Sequence, residues 1–216
     1  MAGAYKLLVE GKNDSAVIRH LMMRHHYNWD AKTGPRATVI AHEGVEDLLR
    51  AVPSHLKDRG TERLGIVLDA DDRLEDRWTA LCQRVAQAGL SLPQAPIKIG
   101  TEVNGLFPGS KLGVWVMPDN ATPGELEHFL LRLIPEDDPC KDFASEVAEA
   151  AREKYAGQRC SSDKHTKSHI YTWLAWQRIP GLPFGTALNQ SLLGHDSPTA
   201  LAFADWFRSL FPEQAV

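Results

Sequence analysis

Three cysteines, Cys82, Cys140 and Cys160, are all that this 216-residue chain contains. They are odd in number and far apart, which argues against a disulfide framework and for a reducing compartment. No apolar run approaches the ~20 residues that span a bilayer, and the N-terminus lacks the pattern of a signal peptide. The expectation is a cytoplasmic protein with no membrane association. Excess positive charge is missing as well. The formal net charge is −4 and the isoelectric point near 6.1. That balance disfavours broad, non-specific nucleic-acid binding and leaves room only for a local basic groove. Internal repeats, low-complexity segments and long linkers are also absent. What remains is ordinary for a folded protein, with 43% hydrophobic and 24% charged residues, enough for one good core.

The first two-thirds of the chain alternates two periodicities. LLVE (7–10) precedes DSAVIRHLMMRH, in which Val17, Ile18, Leu21 and Met22 share a helical face. ATVIAH (37–42) precedes VEDLLRAV, with Val45, Leu48, Leu49 and Val52 in the same spacing. GIVLD (65–69) leads into a helix carrying Leu74, Trp78, Leu81 and Val85, closed by Gly89. KLGVWVMP (111–118) reads as a fourth strand, followed by a helix from about Pro123 to Leu133. Nearly continuous apolar strands interleaved with amphipathic helices predict a mostly parallel, four-stranded, Rossmann-like sheet with helices on both faces. IKIGTEVNGLF (97–107) is ambiguous, and an edge hairpin there would add to the sheet. From about Pro139 the strands stop. FASEVAEAAREKYA, HTKSHIYTWLAWQ and ALAFADWFRSLF read as helices and GLPFG as a turn. Trp173, Trp176, Trp206, Phe207 and Phe211 would pack this part onto the core. The expected organisation is an α/β core over 1–135 and a helical C-terminal extension over 136–216.

Acids stand where the strands end. Glu10 follows the first, Asp69 and Asp71 the third, in VLDADDR, and Asp119 the fourth. Ligands of open parallel sheets bind at the carboxyl ends of the strands. Carboxylates converging there form a concentrated negative site that hard cations neutralise, and magnesium suits it by taking oxygen ligands and retaining water.

VEGKND (9–14) and VLDADD (67–72) resemble the two motifs of the Toprim domain: a glutamate followed by glycine after the first strand, and an Asp-x-Asp pair after the third. Toprim domains occur in topoisomerases, primases, recombination mediators and small nucleases, and handle phosphodiester chemistry with magnesium. VWVMPDNATPGELEHFL and KSHIYTWLAWQRIPG are similar to a smaller Toprim-like bacterial family, and that likeness covers almost the whole chain. The resemblance implies a Toprim-like fold, with Glu10 as metal ligand or general acid/base and Asp69 and Asp71 as metal ligands. In the nuclease branch typified by the overcoming-lysogenization-defect proteins, an acid four residues after the first glutamate also binds metal. Asp14 occupies that place. Glu127 and Lys167 match that branch's later acid and lysine, with Lys167 stabilising developing charge. The implied cofactor is Mg2+ or Mn2+. Gly11 would allow a tight turn and, with Lys12, approach a phosphate.

Several of these residues have structural roles open to them. Asp14 could N-cap the first helix, and Asp72-Arg73-Leu74-Glu75 has a capping-box pattern. Thr122-Pro123-Gly124-Glu125 reads as a better box, which accounts for Glu125 and leaves Glu127 as the acid to reach the site. Lys164 and Lys167 share a helical face on which lysine is also a common surface residue. Cys160, His165 and His169 have a loosely zinc-like spacing without a second cysteine pair. His25 and His26 would meet the terminal carbonyls of the first helix.

The functional expectation is a metal-dependent nuclease acting on DNA or RNA, with Arg19, Lys32, Arg36 and Arg73 as its basic rim. One alternative is a non-catalytic binding or regulatory module, as a homodimer or with a partner such as an ATPase. The other is phosphoryl transfer on a small nucleotide. Covalent topoisomerase and primase chemistry are not expected, since the sequence shows no segment that reads as the further domains they require.

Overall fold

The computed structural model describes residues 4–30, 36–155 and 165–213. Its elements are β1 (Tyr5–Val9), α1 (Lys12–Arg24), β2 (Ala37–Ala41), α2 (Val45–Lys57), β3 (Arg63–Asp69) and α3 (Leu74–Gln87). There follow β4 (Thr101–Asn104), β5 (Lys111–Met117), α4 (Leu126–Leu131), α5 (Cys140–Tyr155), α6 (His165–Ala175), α7 (Phe184–Asn189) and α8 (Pro198–Leu210).

Five strands make one sheet in the order β2-β1-β3-β5-β4. The expected count of four is therefore corrected by one. β4 is a short edge strand antiparallel to β5, pairing Thr101 with Val114 and Asn104 with Lys111. The tight return between them is closed by the Gly105 N–H on the Ser110 carbonyl at 2.8 Å, a connection that only an antiparallel pair permits. The other four strands run parallel.

Alternate residues of each strand face opposite layers. Leu8, Ile66, Leu68, Val114 and Val116 share a core with α2 and α3. Leu7, Val9, Val67, Trp115 and Met117 share the other core with α1 and the C-terminal helices. Residues 136–213 thus supply much of one whole layer. Phe203, Trp206, Phe207 and Phe211, on and just after α8, are all buried in it. Their seat is a pair of glycines, Gly65 and Gly113, opposite one another in the β3/β5 register. A Cβ on Gly65 would come within 2.8 Å of the Phe211 ring, and one on Gly113 would run into Leu210. The missing side chains let the helix end lie directly on the strands. Trp173 is fully buried as expected, but Trp176 is 40% exposed and stacks on Phe143 at the surface. The GLPFG stretch is more than a turn, because Pro183 N-caps α7.

The winding positions the site. The chain leaves β1 through α1 to reach β2, then α2 carries it back past β1 to β3. The sense of progression reverses between β1 and β3, and α1 and α3 leave those neighbouring strands towards opposite faces. A crevice outside the carboxyl ends of β1 and β3 follows, which is where open α/β sheets bind ligands.

Candidate metal and phosphate site

Glu10 and Asp69 stand at that crevice and are tied together. Glu10 Oε1 accepts the Asp69 backbone N–H at 2.8 Å. Asp69 Oδ1 in turn accepts the Leu126 N–H at the start of α4, at 2.9 Å. Two residues on, Asp71 has a left-handed backbone with φ 52°, a conformation that costs free energy in a residue with a side chain. A bridge to Gly124 holds it: Asp71 N–H donates to Gly124 O at 2.9 Å, and Gly124 N–H returns to Asp71 O at 2.8 Å. The loop after β3 is therefore pinned to the loop before α4, and both deliver acids to one edge.

Gly11, not Asp14, is the N-cap of α1, and Asp14 is the third helical residue. Asp14 is buried, and the backbone at Asp14 and Gly11 draws its carboxyl down against the larger effect of burial. Gly11 has an extended φ of −154°, which any residue adopts, so no turn requires glycine there. A Cβ would lie 3.3 Å from Asp14 Oδ2, and the absent side chain leaves the carboxylate room. Glu127, in the first turn of α4, is only 5% exposed. Lys167 of α6 reaches it, with Nζ 2.9 Å from Glu127 Oε1.

Five carboxylates thus share one environment. Burial pushes the Asp69 carboxyl up to about 9, and the charges of Glu10, Asp14, Glu127 and Asp71 add to the effect. Burial raises Glu10 to about 7, against the opposing pull of the Asp69 N–H and of Arg77. Asp14 rises to about 6, by burial first and then by Glu127 among its neighbours. Lys167 is raised, chiefly by its hydrogen bond to Glu127. Glu10, Asp14 and Asp69 are thus each costly to ionise in this company.

Among the described residues, no three His, Cys, Asp or Glu side chains stand in the geometry of a finished metal cage. The oxygens are turned to other partners: Glu10 to the Asp69 N–H, Asp69 to Leu126, Asp71 to Arg77 and Glu127 to Lys167. Arg77, in the first turn of α3, was not singled out by the sequence. Its partner Asp71 lies six residues before it, and no local spacing rule links the two. His128 was likewise missed. Its Nδ1 accepts the Glu125 N–H at 3.1 Å and its Nε2 contacts Thr166 Oγ1 at 3.0 Å, next to Lys167. With Nδ1 accepting, Nε2 carries the proton. This link fixes the start of α6, and with it Lys167, against the start of α4.

Other candidates lie elsewhere. α4 begins at Leu126 with Glu125 as its N-cap, so the Thr122–Glu125 box does not form, and Asp72 does not cap α3, whose N-cap is Arg73. Asp119 serves its own loop, accepting from the Ala121 and Thr122 N–H groups and pairing with Arg132 at 2.6 Å. Arg36 precedes β2, at the opposite end of the sheet, and reaches Asn28 O and Glu213. Arg73 is open to solvent and pairs with Asp76. Lys12 and Arg19 are exposed on α1. His169 Nε2 meets Lys141 O and His165 meets Glu149, while Cys160, Lys164 and Lys32 lie outside the described residues.

A family model described as a protein of unknown function, DUF3226, matches residues 4–212. No curated protein and no solved structure matches the chain.

Proposed function

The chain belongs to the DUF3226 family, and we propose that it is a Toprim-type, divalent-metal-dependent phosphodiesterase acting on nucleic acid. The observation that carries this reading is the shortage of positive charge at the β1/β3 edge. Asp69 is pushed up to about 9 and Glu10 to about 7, while Arg77 and Lys167 are the only cations paired with the set among the described residues. A fold gains nothing from grouping five acids so closely unless further positive charge arrives with a ligand. The order of the sheet supports the Toprim assignment, since the Glu-Gly and Asp-x-Asp strands are neighbours across the switch point.

Magnesium or manganese fits these donors. All are oxygens, and magnesium takes only one or two protein carboxylates, completing its shell with water and substrate phosphate. A closed protein cage is therefore not required. Glu10, Asp69 and Asp71 would hold the ion, with Asp14 and Glu127 beside them. Once bound, the ion would supply activated water and polarise a phosphoryl oxygen.

The chain's own groups do the rest. Glu10 has one oxygen fixed by the Asp69 N–H and a carboxyl that titrates near 7, so its other oxygen is matched to moving a proton at neutral pH. Lys167, 40% exposed and braced on Glu127, offers an ammonium group to the charge that builds on the phosphoryl oxygens. The pairing of Asp71 with Arg77 and of Glu127 with Lys167 favours the second reading, a non-catalytic module whose acids are neutralised from within.

The two readings part in one experiment. Labelled single- and double-stranded DNA and RNA are incubated with purified protein and magnesium or manganese. Cleavage that disappears in Asp69→Ala is expected. No cleavage of any substrate, or cleavage that survives Asp69→Ala, sinks the enzymatic reading. Calorimetry tests the metal separately: magnesium affinity unchanged in Glu10→Gln with Asp71→Asn removes the site.

A further inference from the structure

We propose that the groove between α1 and the end of β2 is the track along which a nucleic-acid backbone reaches the carboxylate edge. This inference rests on the phosphodiesterase reading and names where its polymer lies. Lys12 opens α1 two residues after Glu10. Lys12, Ser15 and Arg19 follow at intervals of three and four, which puts them on one helical face. Together with His20, Met23 and Ala41 they line a cavity of about 440 Å3.

Charge selects the occupant. The protein carries a net charge of −4, yet no carboxylate among the described residues lines this groove. Among the described residues Lys12 and Arg19 form no ion pair with an acid, whereas Lys6, Arg77, Arg132 and Lys167 each do. Arg19 is held in another way. Its guanidinium lies 4.8 Å from the centroid of the Trp29 ring, and Trp29 Nε1 donates to the Arg19 carbonyl at 3.1 Å. The ring face holds the guanidinium while its N–H donors meet no acceptor among the described residues, an arrangement that suits bidentate contact with a phosphate. His20 Nδ1, buried in the wall, has no hydrogen-bond partner among the described residues.

Length separates a polymer from a mononucleotide. Seven residues of helix place Lys12 and Arg19 about 10 Å apart along the axis. Even the axial rise of a duplex, about 3.4 Å per nucleotide, is far shorter than that interval, so a single phosphate does not bridge it. A single nucleotide seated at Glu10 would engage Lys12 and leave Arg19 idle. Apolar Met23 and Ala41 give sugar edges a surface that needs no hydrogen bonds.

The test measures binding apart from chemistry. Fluorescent 20-nucleotide single strands and duplexes of DNA and RNA are titrated with full-length protein in EDTA, between 50 and 200 mM KCl. The expected result for the Lys12→Glu/Arg19→Glu double variant is at least a tenfold loss of affinity at 50 mM, with an unchanged melting temperature. For a single strand, the salt dependence should flatten by about 0.7 per lost phosphate contact, hence about 1.4 for both. Arg19→Lys, which keeps the charge and loses the planar fork, should fall between the wild type and the double variant. Failure of the wild type to bind any strand overturns the track, and so does equal binding by the double variant. Binding that depends on Lys12 and Arg19 without metal-dependent cleavage leaves the track standing and removes the phosphodiesterase reading instead. The preferred strand among the four names the substrate class.

Discussion

Asp58 and Asp69 lie at opposite ends of β3, and the protein treats them in opposite ways. Asp58, just before the strand, accepts from Lys6 Nζ at 2.6 Å, from the Gly60 N–H at 3.0 Å and from Thr61 Oγ1 at 3.1 Å. Its carboxyl is held down at about 2, chiefly by Lys6. Asp69, at the other end, is pushed up to about 9 by burial and by four neighbouring acids. Where an acid serves the fold, the chain supplies the cation itself. Where acids gather at the crevice, Arg77 and Lys167 meet only part of the demand. The difference marks the carboxyl edge as the end of the sheet built to receive something.

The sharpest way to break this contrast is to neutralise each aspartate in turn. Asp69→Asn should lower metal-dependent hydrolysis on the order of a hundredfold or more. In the metal-free protein at pH 8 it should raise the melting temperature by roughly 5 °C, because the fold no longer has to keep protonated a carboxyl that the unfolded chain ionises at that pH. Asp58→Asn should do the reverse: hydrolysis nearly unchanged and a lower melting temperature, since buried Lys6 loses its partner. Assays and thermal melts of both variants check the pair. Two melting temperatures that move in the same direction would erase the distinction between the two ends.

Next in size is the pH dependence of the wild type without metal. Glu10, Asp14 and Asp69 have folded pKa values of about 7, 6 and 9, above the usual carboxylate range. The folded state then binds more protons than the unfolded chain, so stability is greatest below about pH 4 for these groups and is lost as pH rises towards 9. Asp58 acts with the opposite sign, and its contribution is lost only as pH falls from about 4 towards 2. Melting curves should therefore decline from mildly acidic to alkaline pH. Millimolar magnesium should flatten the decline by binding the ionised form of the folded state alone. A metal-free profile that is level from pH 5 to 9 contradicts the raised carboxyls.

Much of the carboxyl edge was legible because it depends on local pattern. Apolar runs broken by Glu10 and by Asp69-Ala-Asp71 announce strand ends on their own, and the interleaved helices imply a parallel sheet whose ends coincide. Legibility failed where the determinant was a distant partner. β4 is too short for its sequence to separate strand from loop and is defined by β5. Arg36 looked like part of the basic rim, but parallel pairing puts the start of β2 at the other end of the sheet. The α4 boundary shifted because the backbone of Gly124 is engaged by Asp71 rather than by the helix. Gly65 and Gly113 went unremarked within their strand runs, and only the seat for Phe211 and Leu210 explains them.

Arg77 sharpens the comparison with the smallest expected effect. It is the counter-charge on Asp71, and it also draws the Glu10 carboxyl downwards. Its side chain is 14% exposed and that of Asp71 is 51% exposed, so the pair is partly screened and worth at most about 1 kcal/mol. That bounds any change in affinity from releasing Asp71 at about fivefold. If the Arg occupies a place meant for a bound cation, Arg77→Gln should tighten magnesium binding by a few-fold, read by calorimetry. Glu10 should titrate higher in the metal-free variant, because a favourable charge has gone. If Arg77 is instead the permanent partner of Asp71, as Lys6 is of Asp58, the same substitution should leave magnesium affinity unchanged or weaker and lower the melting temperature. The sign of one calorimetric shift therefore decides whether Asp71 belongs with Asp69 or with Asp58.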